Sequence, residues 1–368
     1  MKTLTPITAA ILMVFGVNTN ANNNAAILIQ VGGGNMSTAD QSDPTIHDNL
    51  IVQTQIGTTN DSEASQTTGT NNSVTIQSQI GESNTAESYQ TGNTSFSISL
   101  TNQIGDSHTA TVTQTDVTAS SALLYQVDSL NTSSIFQLDV TRSSALINQI
   151  GSMNSAGVGQ GMVTTSIGLI NQIGSMNSVG IGQGNVSASF ALANQVGSMN
   201  STSISQNEVT ISSALTNQTG SMNDATAIQS PATTSNISIN QTGFMNLAAA
   251  RQFDVTASSA LINQAGSMND ADIDQDDGTN LSIAIINQTG EMNEADIGQE
   301  DEPVMSIATI YQAGSMNTAD ITQTTTTLSN ASTTQVGSDN MHTTTQTGVG
   351  QTAIVVQIGN GNMGTITQ

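Results

Sequence analysis

An eleven-residue spacing between two glutamines recurs fifteen times along this chain, and it constrains the fold more than any other feature. The unit reads Gln-x-Gly-x-x-Asn-x-Ala-x-x-x-Gln, and its cleanest copy runs from Gln149 through Gly151, Asn154 and Ala156 to Gln160. Copies begin 22 to 25 residues apart, while the eleven-residue interval never varies. A period of this length marks a stacked array in which each repeat packs on its neighbours. Amides recurring at fixed places are the means by which cross-β assemblies hold together.

Composition excludes the common alternatives. With 2% aromatic residues and no Trp among 368 residues, a conventional multidomain core is out of reach. A polar disordered chain would share the composition but would not need a fixed interval. There is no Cys, so disulfides and thiol chemistry are absent. Three Lys and Arg against 27 acids leave a net charge of −24, the opposite of a nucleic-acid-binding footprint. Residues 1–21 read as a secretory signal, with Lys2, an apolar stretch from Ile7 to Val17, and Thr19-Asn20-Ala21 as the cleavage site. No later stretch is apolar enough to cross a membrane, so residues 22–368 form one repeat array without a transmembrane segment.

Side chains alternate between the two faces of a strand. In the sixth repeat Ser143, Ala145, Ile147 and Gln149 share one face. After a Gly151-Ser152-Met153 turn, Asn154, Ala156, Val158 and Gln160 continue it. The expected fold is all-β: a β-solenoid of about fifteen strand–turn–strand repeats forming two stacked parallel sheets, amyloid-like in its cross-β geometry. Gln53, Gln77 and Thr101 fit less well, standing where Ile is expected. Stacking identical repeats lets each buried amide bond its counterparts above and below. The ladder residues expected are Gln149, Asn154, Gln160, Gln172, Asn177, Gln183, Gln195, Asn200 and Gln206, then Gln264, Asn269, Gln275, Gln312, Asn317 and Gln323. Gly151, Gly174, Gly197, Gly266 and Gly314 are the turn glycines. Asp128 replaces this Gly, and His108 in the neighbouring repeat replaces the Asn, so the fourth and fifth turns are expected to be the least regular.

The fuller pattern, Ser-x5-Gln-x-Gly-x2-Asn-x-Ala-x3-Gln, resembles the repeat of curlins, the subunits of curli amyloid fibres. Ser143 to Gln160, Ser258 to Gln275 and Ser306 to Gln323 carry it throughout. The resemblance implies a secreted subunit, exported through the periplasm of a bacterium, that polymerises into cell-surface fibres of the biofilm matrix for adhesion and aggregation. It also implies a nucleator subunit, an outer-membrane secretion channel and periplasmic assembly factors as partners. The chain departs from well-known members, which have about five repeats and a longer segment before the first.

The ends of the array are expected to recruit further copies of the chain. Monomeric solenoids carry atypical capping repeats, whereas here Gln30 and Gln41 open the pattern and Gln357 and Gln368 close it. Leu100, Leu123, Leu146, Leu169, Leu192, Leu215 and Leu261 form an outward ridge beside an Asn ladder from Asn102 to Asn287, suited to lateral contact between filaments. Methionines such as Met153 read as turn filler. The late acids Asp270, Asp272, Asp274, Glu294 and Asp296 read as charges that oppose premature assembly. They are also the candidate ligands should Ca²⁺ bind; no other cofactor is expected. No catalytic constellation emerges, since His47, His108 and His342 stand far apart. The rival readings are the nucleator of the same fibre and a monomeric β-solenoid adhesin or ice-binding protein.

Overall fold

A computed structural model describes Val14–Phe15 and residues 23–368, so the expected export signal, residues 1–21, falls almost wholly outside the described residues. The chain divides into two compact units, Met1–Met176 and Asn177–Gln368, with the boundary inside the seventh repeat. No described helix interrupts the strands. Each unit is a β-solenoid with two parallel sheets, as the alternation requires.

In the first unit, one sheet is built from the leading strand of each repeat, Ala25–Gly33 to Ile167–Ser175. The other is built from the trailing strands, Met36–Asp40 to Ser155–Gly161. Equivalent residues pair without slippage: Ala122, Leu124 and Gln126 lie opposite Ala145, Ile147 and Gln149, which lie opposite Gly168, Ile170 and Gln172. The Asp128 and His108 turns keep this register as well, and Ser121–Ser129 pairs along its whole length with Ile98–Asp106, although Asp128 has φ 83° where the glycines at its position have 112° to 132°. In the second unit the leading strands run from Phe190–Ser198 to Thr352–Asn360 and the trailing strands from Ser178–Gly184 to Met363–Thr367. Register holds there too, apart from one irregularity between Thr324 and Thr327.

The core is thin. Ala145, Ile147, Ala156 and Val158 face inward and are buried, as the alternation predicts. A further buried column went unseen in the sequence: Val117, Val140 and Val163 in the first unit, Val186, Val209 and Val255 in the second. These residues sit in the arc that leads to the next repeat and close the open side of the core. The arc also absorbs all the variation in repeat length, since the interval between paired glutamines is constant. Its chain is held by single parallel bridges such as Thr118 to Thr141 and Thr141 to Thr164 in the first unit, and in the second also by a short parallel sheet of Val209–Thr210, Ala232–Thr233 and Val255–Thr256.

The other arc is tight. Gly151 has φ +114°, and a Cβ there would overlap the carbonyl oxygen of Gly174 in the next turn. Glycine meets both the conformation and the approach without strain, while Asp128, at the equivalent place one repeat earlier, holds a smaller φ of 83°. Met153 follows in that arc with left-handed backbone at φ 57°, and its N–H donates to Ser129 O in the previous turn at 3.1 Å.

Candidate assembly interface: the amide ladders

Two glutamine ladders line each core. In the first unit, Gln126 Nε2 donates to Gln149 Oε1 at 2.9 Å, and Gln149 Nε2 to Gln172 Oε1 at 2.8 Å. The second N–H of Gln149 reaches Thr132 O at 3.1 Å, so both donors are used. On the trailing strands Gln137 donates to Gln160 at 2.8 Å. In the second unit the same bonds join Gln183 to Gln206, Gln195 to Gln218, Gln241 to Gln264 and Gln264 to Gln288, at 2.8–2.9 Å. Gln275 donates to Gln299 at 2.7 Å, Gln299 to Gln323 at 2.8 Å and Gln312 to Gln335 at 2.9 Å. These amides are almost wholly shielded from water, where an unpaired donor or acceptor costs about 1–3 kcal/mol. Identical neighbours meet that requirement at every turn.

The asparagines build a ladder of opposite sense. Asn154 Nδ2 donates backward to Asn131 Oδ1 at 3.1 Å and forward to Gly174 O at 2.9 Å, while its backbone N–H also donates to Asn131 Oδ1 at 3.0 Å. Each such Asn therefore ties together three consecutive turns. Asn200, Asn269 and Asn317 repeat the arrangement in the second unit, and Asn177 donates to Gly197 O at 3.0 Å. The glutamine Nε2–Oε1 bonds thus point toward later repeats and the asparagine Nδ2–Oδ1 bonds toward earlier ones.

His108 preserves the site by imitation. Its ring is buried, Nδ1 accepts from the Asn131 backbone N–H at 3.3 Å, and Nε2–H donates to Ile104 O at 3.2 Å. Those are roles that Oδ1 and Nδ2 play elsewhere, and they require the neutral ring. Burial accordingly pushes its pKa down. Where Ile was expected, Gln53 and Gln77 form an extra ladder bond of 2.8 Å instead of disturbing the core, whereas Thr101 Oγ1 is buried without a partner.

The serine six residues before the first glutamine closes the arc. Ser143 Oγ donates to Thr141 O at 3.1 Å and accepts the Ser166 backbone N–H at 3.0 Å. At the outer repeats, Gln30 donates to Gln55 at 2.7 Å and Gln41 to Gln66 at 2.6 Å. Gln357 accepts from Gln335 at 2.8 Å and donates to Met341 O at 3.0 Å; Gln368 accepts from Gln346 at 3.1 Å and donates to Thr352 O at 3.2 Å.

The acids share one sheet face in the second unit. Asp272, Asp296 and Asp320 stand in register on successive turns, and Asp270 faces Glu294. Arg251 grips Asp272 through both carboxylate oxygens, at 2.9 and 3.1 Å. Desolvation, then the neighbouring Asp272 and Asp320 charges, push Asp296 up to about 6. Desolvation and Asp274 do the same to Asp276, also to about 6. The carboxylates form a column and do not converge: among the described residues no group of three or more is placed to hold a metal ion.

The outward Leu and Asn positions are where alternation puts them, and Asn194, Asn217, Asn240, Asn263 and Asn287 form a continuous side-chain ladder at 2.8–2.9 Å. The sequence reading missed a second outward apolar column, one residue after the first glutamine. It includes Ile56, Ile80, Ile104, Ile150 and Ile173, each about two-fifths exposed. Period-two counting from Leu100 and Leu146 would have found it.

No protein-family model matches the chain, and no curated protein matches it.

Proposed function

We propose that this chain is a secreted structural subunit that self-assembles into curli-like functional amyloid fibres of a bacterial biofilm matrix. The observation that carries the proposal is the register-locked ladder. Inside each unit, successive turns are joined by the same glutamine bonds, which use residues that every repeat carries, and by asparagine bonds that His108 alone replaces with its ring nitrogens. A further copy of the chain offers the same groups at the same spacing, so stacking continues the pattern without any new chemistry. The curlin-type motif supports the extracellular setting and, with it, a nucleator, a secretion channel and periplasmic factors as partners.

Seeded polymerisation of residues 22–368, released from denaturant and followed by an amyloid dye, tests the reading. The expected result is a lag that preformed fibres abolish. A stable folded monomer that ignores seeds would overturn it in favour of a solenoid adhesin.

A further inference from the structure

The two sheets of the first unit differ in charge. On the trailing strands Glu63 and Glu87 point outward; Glu82, Asp106 and Asp128 stand at the ends of leading strands, where the tight arc begins, and the remaining acids of the unit lie on trailing strands or in the arcs. On the leading strands no outward side chain between the arcs is charged in any repeat. Two columns there are apolar without exception: one runs from Ile27 to Leu169, the other from Val31 to Ile173. The column between them begins with Ile29 and then carries small or amide side chains and one Tyr, leaving a shallow furrow.

We propose that this neutral leading-strand face of the first unit docks on the same face of a second copy. Three observations select a second copy as the occupant. The chain carries 27 acids, and this is the broad face of the unit that holds none of them between its arcs, so it is where two such polyanions approach without repulsion. Both apolar columns repeat at the strand spacing, so the ridge of one copy lies along the furrow of the other over the whole face, as in a dry zipper. The area is also adequate. Seven strands about 4.8 Å apart, from Ala25–Gly33 to Ile167–Ser175, span about 29 Å; the seven residues between arcs span about 20 Å. The product, roughly 600 Å² per copy, approaches the ~800 Å² per partner of a standard interface. In the second unit Thr219, Thr242 and Thr289 interrupt the equivalent column, so the docking face belongs to the first.

The pairing is lateral and does not depend on fibre growth, so it is measured on soluble and polymerised chain alike. Residues 22–368 are examined by sedimentation velocity immediately after removal of denaturant, and fibres by electron microscopy. Wild-type chain is expected to sediment as a dimer and to form paired filaments. Ile104→Glu with Ile150→Glu, two partly exposed side chains flanking Val127, is expected to weaken pairing at least about a hundredfold and to leave single filaments with the same seeded growth rate. Thr111→Glu with Ser134→Glu, outward on the other sheet, leaves pairing intact. Should circular dichroism show the Glu variant unfolded, Ile104→Thr with Ile150→Thr, which keeps β-branching and adds no charge, is expected to weaken pairing about tenfold. A monomeric wild type with single filaments, a Glu variant that stays paired, or a control that dissociates equally would each overturn the proposal. Loss of binding to zwitterionic lipid vesicles with self-association unchanged would also overturn it, assigning the face to a membrane. Failure of seeded growth with the dimer intact would sink the fibre reading and leave this one standing.

Discussion

Replacing Gln149 by Glu changes one NH₂ to an oxygen and tests the ladder at its centre. Gln149 Nε2 donates to Gln172 Oε1 at 2.8 Å and to Thr132 O at 3.1 Å, in a place closed to water. A carboxylate keeps the bond from Gln126 but loses both donations, about 1 kcal/mol each, and leaves two buried acceptors facing its own oxygen. The sum is a loss of about 3–5 kcal/mol at neutral pH. Burial raises the folded-state pKa of the new Glu above its unfolded value of about 4.3. The folded state then binds more protons, so stability is retained below about pH 4.3 and falls as pH rises through the folded pKa. At pH 4 the protonated acid restores one donor, and roughly half of the loss should return. Hydrogen exchange of the soluble chain reads this locally, because turns couple to their nearest neighbours. Amides in Thr132–Leu138, Ser144–Ser152 and Ile167–Ser175 should lose protection, and Ser134→Glu, exposed on the trailing sheet, should change stability by less than about 0.5 kcal/mol. A loss below about 1 kcal/mol, or equal losses at pH 4 and 7, would refute the claim that the ladder is made of buried, mutually required donors and acceptors.

Two further substitutions separate glycine conformation from glycine space. Gly151→Ala places a Cβ on the Gly174 carbonyl at positive φ and should cost more than about 2 kcal/mol in a melt. Gly157→Ala, with Ser134 Oγ at 3.6 Å as its nearest neighbour and ordinary φ, should be neutral or stabilise by up to about 1 kcal/mol. His108 and Asp296 should also respond oppositely to acid. His108 has a lowered folded pKa, so its contribution is complete above the unfolded value of about 6.5 and is lost as pH falls through the folded one; His108→Asn should remove that acid sensitivity from exchange in the first unit. Asp296, raised to about 6, contributes fully below about 3.9 and loses that contribution as pH rises through 6. Asp296→Asn should stabilise the second unit at pH 7 by no more than about 1 kcal/mol, given its exposure to solvent. No difference between pH 4 and 7 in either variant relative to wild type would dismiss these two groups as the cause.

The constant interval between glutamines made most of this structure legible. Because Gln149 and Gln160 had to share a face, strand, arc, register and inward residues followed from period-two counting. Other features were hidden for identifiable reasons. Val140 and Val163 lie beyond the closing glutamine, outside the unit that was matched, although each follows that glutamine by three residues, as Val117, Val186, Val209 and Val255 do. An amide looks the same as donor or acceptor, so the opposed senses of the Gln and Asn ladders become visible only once Nδ2 and Oδ1 have partners. His108 was read as an irregularity because residue identity, not hydrogen-bonding capacity, was being matched; its ring nitrogens supply an acceptor and a donor. The outward column of Ile104 and Ile150 was overlooked because the Leu ridge already accounted for apolar residues on that face.

All variation in repeat length falls in one arc, while the other arc and both strands keep constant spacing. Evolution has therefore already carried out an insertion scan. Each turn has one locus where residues are added or lost without moving a ladder, and successive loci are one strand spacing apart, about 4.8 Å. A peptide grafted after Gln160 and another after Gln137 would emerge side by side on the same edge of the first unit. The protein is in this sense a molecular ruler, graduated in single strands, on which cargo can be displayed at a density fixed by the backbone.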